Sequence, residues 1–179
     1  MLLTLLYGGR TMETNILIKA KHKALDVAIW FLARNQIEVN QNGSDFISNL
    51  KLQKLLYYAQ GAFLGMFNAP IFNEELVAWK HGPVVPIVYH KFKRFGDQGI
   101  DYKSIVEEFK ITENPLYWFS SQENELLEDV YDNFGQYSAW GLRRKTHNET
   151  PWKETSLKQI ISKKLISEFF KANYIIEEA

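Results

Sequence analysis

Apolar residues recur with helical spacing along most of this chain. Leu25, Ala28, Ile29 and Leu32 stand at i, i+3, i+4 and i+7, which predicts a helix over about residues 22–35. Val27, Trp30 and Phe31 widen its apolar face, so burial on more than one side is expected. The polar run 40–45 (NQNGSD) predicts a loop. A second helix carries Leu52, Leu55, Leu56, Ala59 and Phe63 on one stripe, with Ser48 or Asn49 as its cap and Asn68-Ala69-Pro70 as its end. Gly61 and Gly65 each cost about 1 kcal/mol of helix propensity relative to Ala. Two such costs four residues apart predict that another backbone packs closely there.

Short apolar pieces over residues 70–80 suggest a small β-hairpin or an extended segment. Gly82-Pro83 predicts a turn, and Pro86 suits the first position of a third helix that buries Val88, Phe92 and Phe95 and ends at Gly96. Residues 100–118 are the least patterned; Ile105, Val106 and Phe109 fit a short helix or a strand. Ser120 with Glu123 forms a capping-box pattern ahead of a helix that buries Leu126, Leu127, Val130, Tyr131 and Phe134 and stops at Gly135. Ser138 is placed to cap a short helix through Thr146. The last helix starts at Ser156 or Ser162 and buries Ile161, Leu165, Ile166, Phe169 and Phe170. The expected fold is mainly α: a compact single-domain bundle of about six helices with at most a small β-hairpin. Residues 1–19 are expected to form an N-terminal arm, with 1–11 an upstream start ahead of Met12, and residues 20–179 to form the domain.

Composition narrows the function classes. The 179 residues are 46% apolar and 15% aromatic, enough for a substantial core. Twenty-one basic side chains balance 21 acidic ones, so no global field attracts nucleic acid or an anionic membrane. No stretch approaches the ~20 apolar residues of a membrane span. The absence of cysteine removes disulfides, thiolate metal sites and a cysteine nucleophile, and is compatible with a cytoplasmic location.

Candidate chemistry is sparse. The four histidines, His22, His81, His90 and His147, have no metal-ligand spacing. His147-Asn148-Glu149 matches half of a zinc deaminase signature but lacks its thiolates. A His147/Glu149 activity is therefore the residual enzymatic alternative, and neither metal nor cofactor is expected. Lys91, Lys93 and Arg94, and Arg143-Arg144-Lys145, could meet phosphates, but with zero net charge solvated helix faces are the preferred reading. Tyr57, Tyr58, Trp79, Trp140 and Trp152 are first of all core candidates, although Trp, Tyr and Arg are also the usual interface anchors.

Four segments are more specific. They read Leu50-Lys51-Leu52-Gln53-Lys54-Leu55-Leu56-Tyr57-Tyr58-Ala59-Gln60-Gly61, then Pro70-Ile71-Phe72, then Ala78-Trp79-Lys80-His81-Gly82-Pro83-Val84, then Thr146-His147-Asn148-Glu149-Thr150-Pro151-Trp152. Taken in order, they resemble the Panacea domain family, the SocA-like antitoxin domain of phage-associated proteins, over roughly residues 24–170. The resemblance implies an all-helical antitoxin that neutralises a cognate toxin, encoded by an adjacent gene, through direct binding. It also leaves two alternatives: an adaptor that delivers the bound toxin to a cellular protease, and a phage-associated DNA-binding regulator. About twenty residues precede the first helix, too few for the added helix-turn-helix that some members carry, so DNA binding is not expected.

Gln53, Tyr57 and Gln60, at i, i+4 and i+7, form one polar-aromatic stripe that could meet a partner. The alternative is that Gln53 and Tyr57 pin the Gly82-Pro83 turn inside the domain. Trp79, His81, Pro83, His147 and Trp152 complete the candidate partner-binding set, with a structural role open for Trp79, Pro83 and Trp152. His147 is also placed to bind carbonyls of the preceding helix.

Overall fold

A computed structural model describes residues 19–175; the arm and the upstream start expected before residue 19 lie outside them. The elements run α1 (Ala24–Asn42), α2 (Asn49–Phe67), β1 (Val77–Trp79), β2 (Gly82–Val84), α3 (Pro86–Phe92), α4 (Tyr102–Phe109), α5 (Ser121–Phe134), α6 (Ala139–His147), α7 (Thr150–Lys153) and α8 (Lys163–Asn173). Short 3-10 turns occupy Lys93–Phe95 and Pro115–Tyr117. The mainly α expectation holds, but with eight α-helices rather than about six among the described residues. The additions are α4, which resolves the short segment around Ile105 as a helix, and the single turn α7.

Local hydrogen bonds explain most boundaries. Ser48 Oγ accepts from Lys51 N, Ser138 Oγ from Gly141 N, and Ser162 Oγ from Leu165 N. Ser120 and Glu123 form the expected reciprocal box. Helix α1 runs seven residues past its predicted end, because Gln36 to Asn42 carry no breaker. It stops at Gly43, whose φ of 66° is left-handed.

Helix α2 is the centre of the fold. It packs on α1, α3, α5, α6, α8 and β2, and is buried from Leu52 to Gly65 on every side. That exceeds what its single apolar stripe predicted. The glycines explain the contact with α8. A Cβ at Gly61 would lie 2.2 Å from the Phe170 ring, and one at Gly65 3.0 Å from Phe170 Cβ. The expected neighbour is present, although at Gly61 it is an aromatic ring rather than a backbone. Ser167 Oγ donates to Leu64 O across the same contact, at 3.0 Å.

The hairpin lies later than the sequence suggested. Its strands flank a two-residue turn at Lys80-His81, pairing Val77 with Val84, Ala78 with Pro83 and Trp79 with Gly82. Gly82-Pro83 therefore belongs to β2, not to the turn. Pro83 has no N–H to donate, which suits a strand at the sheet edge. The other side of β1 is covered by a turn and a single antiparallel bridge at Ile160: Ala78 N donates to Gln159 O, Lys158 N to Ala78 O, and Ile161 N to Leu76 O.

Candidate functional site

The free edge of β2 meets side chains of α2 instead of another strand. Gln53 Oε1 accepts from Val85 N at 3.0 Å, and Lys54 Nζ donates to Pro83 O at 2.7 Å. Exposed strand edges invite unwanted pairing, and here two helix side chains close one. Gln53 Nε2 donates to Asn49 Oδ1, while Asn49 Nδ2 reaches Tyr89 O on α3. Two turns of α2 further on, Gln60 does the same for the segment before the hairpin. Its Oε1 accepts from Ile71 N and Phe72 N, and its Nε2 donates to Phe72 O. A primary amide has the donor and acceptor of a peptide group, so Gln60 stands in for a missing strand.

Lys54 is wholly buried, and no carboxylate pairs with it among the described residues. Burial, with the nearby Arg143 charge adding to it, pushes its amine down to about 7. Gly82 makes room for it. At φ +101°, an added Cβ would lie 2.8 Å from Lys54 Cε and 2.9 Å from Thr146 Oγ1.

The hairpin is gripped from its other side by α6 and α7. Trp152 Nε1 donates to Trp79 O at 2.9 Å. His147 places Nε2 3.1 Å from Lys80 O and Nδ1 2.7 Å from Arg143 O, and its ring lies against Trp152 with centroids 3.8 Å apart. The carbonyl of Arg143 is the expected preceding-helix contact; that of Lys80 ties the helix to the hairpin turn. All four signature segments thus converge on one clasp.

A second buried charge lies on the α8 side of α2. Glu149 Oε1 accepts from Tyr58 at 2.9 Å and from Tyr174 at 2.6 Å. The Tyr57 hydroxyl is near enough to feel this carboxylate, yet it makes no well-formed hydrogen bond, and Glu149 Oε2 is also unpaired. Burial raises the Glu149 pKa, opposed by the tyrosine hydroxyls and by Lys145. Burial and then the Glu149 charge raise the Tyr57, Tyr58 and Tyr174 pKa values. Tyr58 stacks on Phe134 at 3.8 Å, and Tyr57 meets Phe170 edge-on at 5.5 Å.

The sequence model of the family "Antitoxin SocA-like, Panacea domain" matches residues 52–153, which run from the start of the α2 stripe to the residue after Trp152. The chain belongs to this family. Among curated proteins, it is similar to "Antitoxin SocA" of Caulobacter vibrioides (strain NA1000 / CB15N), with 49% identity over 59 residues. That stretch is 33% of this chain and 31% of the relative, so the match spans under a third of either. No solved structure matches the chain.

The expected partner-facing stripe is corrected by burial. Gln53, Tyr57 and Gln60 of this Panacea domain are at most 1% exposed, and a protein docking on the folded surface cannot reach them. Their polar groups were needed inside, Gln53 and Gln60 for backbone edges that α2 covers. The internal alternative describes Gln53, which does pin the hairpin; Tyr57 lies instead against Phe170. Pro83 is buried, Trp79, His147 and Trp152 are half-buried, and His81 is exposed. Beside His81 stand two residues that the sequence reading placed elsewhere: Trp140, taken first as a core candidate, and Arg143, taken as part of a solvated helix face. Trp140 is 55% exposed, its ring 5.9 Å from that of His81. Arg143 lies 5.3 Å over Trp140 and donates from Nε to His81 Nδ1 at 3.1 Å. A tryptophan at the first turn of α6, one helical turn before a cluster of three cations, was the available signal.

Proposed function

We propose that this chain is an antitoxin that neutralises a cognate toxin, encoded by an adjacent gene, by stoichiometric binding in the cytoplasm, without cofactor or turnover. Membership of the SocA-like Panacea domain family over residues 52–153 carries this reading. The site chemistry supports it. Each His147 ring nitrogen faces a backbone carbonyl, one of which takes its N–H, and Glu149 is enclosed by tyrosines; neither is offered to a substrate. The polar side chains of the signature hold the hairpin on α2, which makes the domain a rigid platform, and rigid platforms lose little entropy on binding.

The test is expression of the adjacent gene alone and together with this chain. The expected result is growth arrest alone, rescue together, and co-purification at a fixed ratio. A neighbour that is harmless in both settings overturns the reading. Toxin abundance separates two modes of neutralisation: masking leaves it unchanged, whereas delivery to a protease lowers it when the chain is present.

A further inference from the structure

We propose that the surface formed by Lys80, His81, Trp140 and Arg143 is the docking site for a carboxylate-bearing segment of the protein partner. This deepens the antitoxin reading and rests on it for the partner's identity. The first support is an uncompensated charge. Arg34 is paired with Glu38 and Glu128, and Arg94 with Glu108. Arg143 has no carboxylate partner among the described residues, and spends its one side-chain donation on His81. Arg143 and then Lys80 are the permanent cations that act on His81. From Leu76 to Gly96 the chain has no Asp or Glu. Helices α6 and α7 carry no Asp or Glu themselves; the carboxylates next to them are the α7 caps, Glu149, enclosed by tyrosines, and Glu154. A chain with zero net charge thus gathers unanswered cations at one hairpin turn.

The second support is the side-chain chemistry beside that charge. Trp140 is held by an edge-on contact with His81 and a cation–π contact with Arg143, yet more than half of it faces solvent. Tyr137, one residue before the α6 cap, is 41% exposed. Trp, Tyr and Arg dominate binding hot spots because they join ring area to directional hydrogen bonds. Arginine in particular takes a carboxylate bidentately. A carboxylate-bearing protein segment fits better than a phosphate backbone, because tracking phosphates takes many cations and a field that this neutral chain lacks.

Binding is measured by fluorescence anisotropy for the parent, Arg143→Glu and Trp140→Ala. The probes are the labelled product of the adjacent gene, a ten-residue peptide of alternating glutamate and alanine, and a 20-nucleotide single-stranded DNA. The expected result is at least 100-fold weaker toxin binding by Arg143→Glu and at least 10-fold weaker binding by Trp140→Ala. Weak, saturable peptide binding by the parent should be lost in Arg143→Glu. Melting temperatures should stay near the parent's, since Trp140 is mostly exposed and Glu at 143 removes a charge that opposes Lys54. If the parent binds the toxin and both variants bind within three-fold of it, the docking site is wrong while the antitoxin reading stands. If the parent fails to bind the toxin yet binds the peptide through Arg143, the antitoxin reading fails and the acidic-segment site stands. DNA binding that is tighter than peptide binding and needs Arg143 overturns the site in favour of nucleic acid.

Discussion

Helix α2 has two buried polar sides that solve the same problem with opposite materials. Towards the hairpin, Gln53, Lys54 and Gln60 reach backbone groups that have no strand partner. Towards α8, Tyr57 and Tyr58 gather around Glu149 among aromatic rings, and Gly61 admits Phe170. The first side is held by hydrogen bonds to fixed backbone, and losing one strands a buried peptide group. The second is held by ring packing around a carboxylate that hydroxyls satisfy only in part. Each side buries one ionisable group without an opposite charge bonded to it: a cation on one, an anion on the other. Hydrogen bonding is therefore decisive on the hairpin side and steric fit on the α8 side.

Gln60→Leu tests the first half of that contrast. It leaves Ile71 N–H, Phe72 N–H and Phe72 C=O unpaired in the interior, and each such group costs about 1–3 kcal/mol. The expected loss of stability is roughly 4 kcal/mol by urea denaturation. A loss below 1 kcal/mol means that water satisfies these groups and the amide is dispensable. Gly61→Ala tests the second half. Its methyl would meet the buried Phe170 ring at 2.2 Å, and overpacking of a filled core costs about 3 kcal/mol. The gain in helix propensity from Gly to Ala is about 1 kcal/mol, too small to reverse the sign. Phe170→Leu in the same chain should recover part of the loss. No recovery would place the clash elsewhere.

The difference between the two sides also explains what was legible in the sequence. The stripe Leu52, Leu55, Leu56, Ala59 and Phe63 is buried as its period predicts, and the Ser120 capping box and the serine caps at Ser48, Ser138 and Ser162 form, because a helix end is decided by atoms within three residues. The glycines announced α8. Gln53 and Gln60 misled, because periodicity assigns polar residues to solvent, whereas a central helix uses them, as it uses Lys54, to satisfy backbone that only the tertiary fold brings near. Nothing local to residue 54 says that the carbonyl of Pro83 will stand beside its amine. The turn was misplaced for a related reason. Gly82-Pro83 has turn chemistry, but here the left-handed glycine makes room for Lys54, and the proline occupies an edge whose missing N–H costs nothing. Trp140 erred in the other direction: an aromatic that composition favours for the core lies largely outside it.

The two buried charges should respond to pH with opposite signs, and this smaller effect separates them. Lys54 has a folded value of about 7, against about 10.4 for an unfolded lysine. Between these the unfolded chain binds a proton that the folded chain does not, so the cost of burial is full below pH 7 and is relieved as pH rises towards 10. Subtracting the stability of Lys54→Met from that of the parent should give a difference that grows by about 2 kcal/mol in the parent's favour from pH 7 to 9. A flat difference across that interval would mean that Lys54 is charged and solvated, contrary to the clasp. Glu149 has a raised value, so the folded chain holds its proton to higher pH than the unfolded chain does. Its cost is full above the folded value and is relieved as pH falls towards 4.5, the ordinary value. Glu149→Gln keeps an acceptor for Tyr58 and Tyr174 and removes the charge. It should be more stable than the parent at pH 7, with the gain shrinking on acidification while the Lys54→Met difference stays level there. If both variants change their differences in the same pH interval, the two sides of α2 are coupled through the space between Lys54 and Glu149, and the separation into a hairpin side and an α8 side fails.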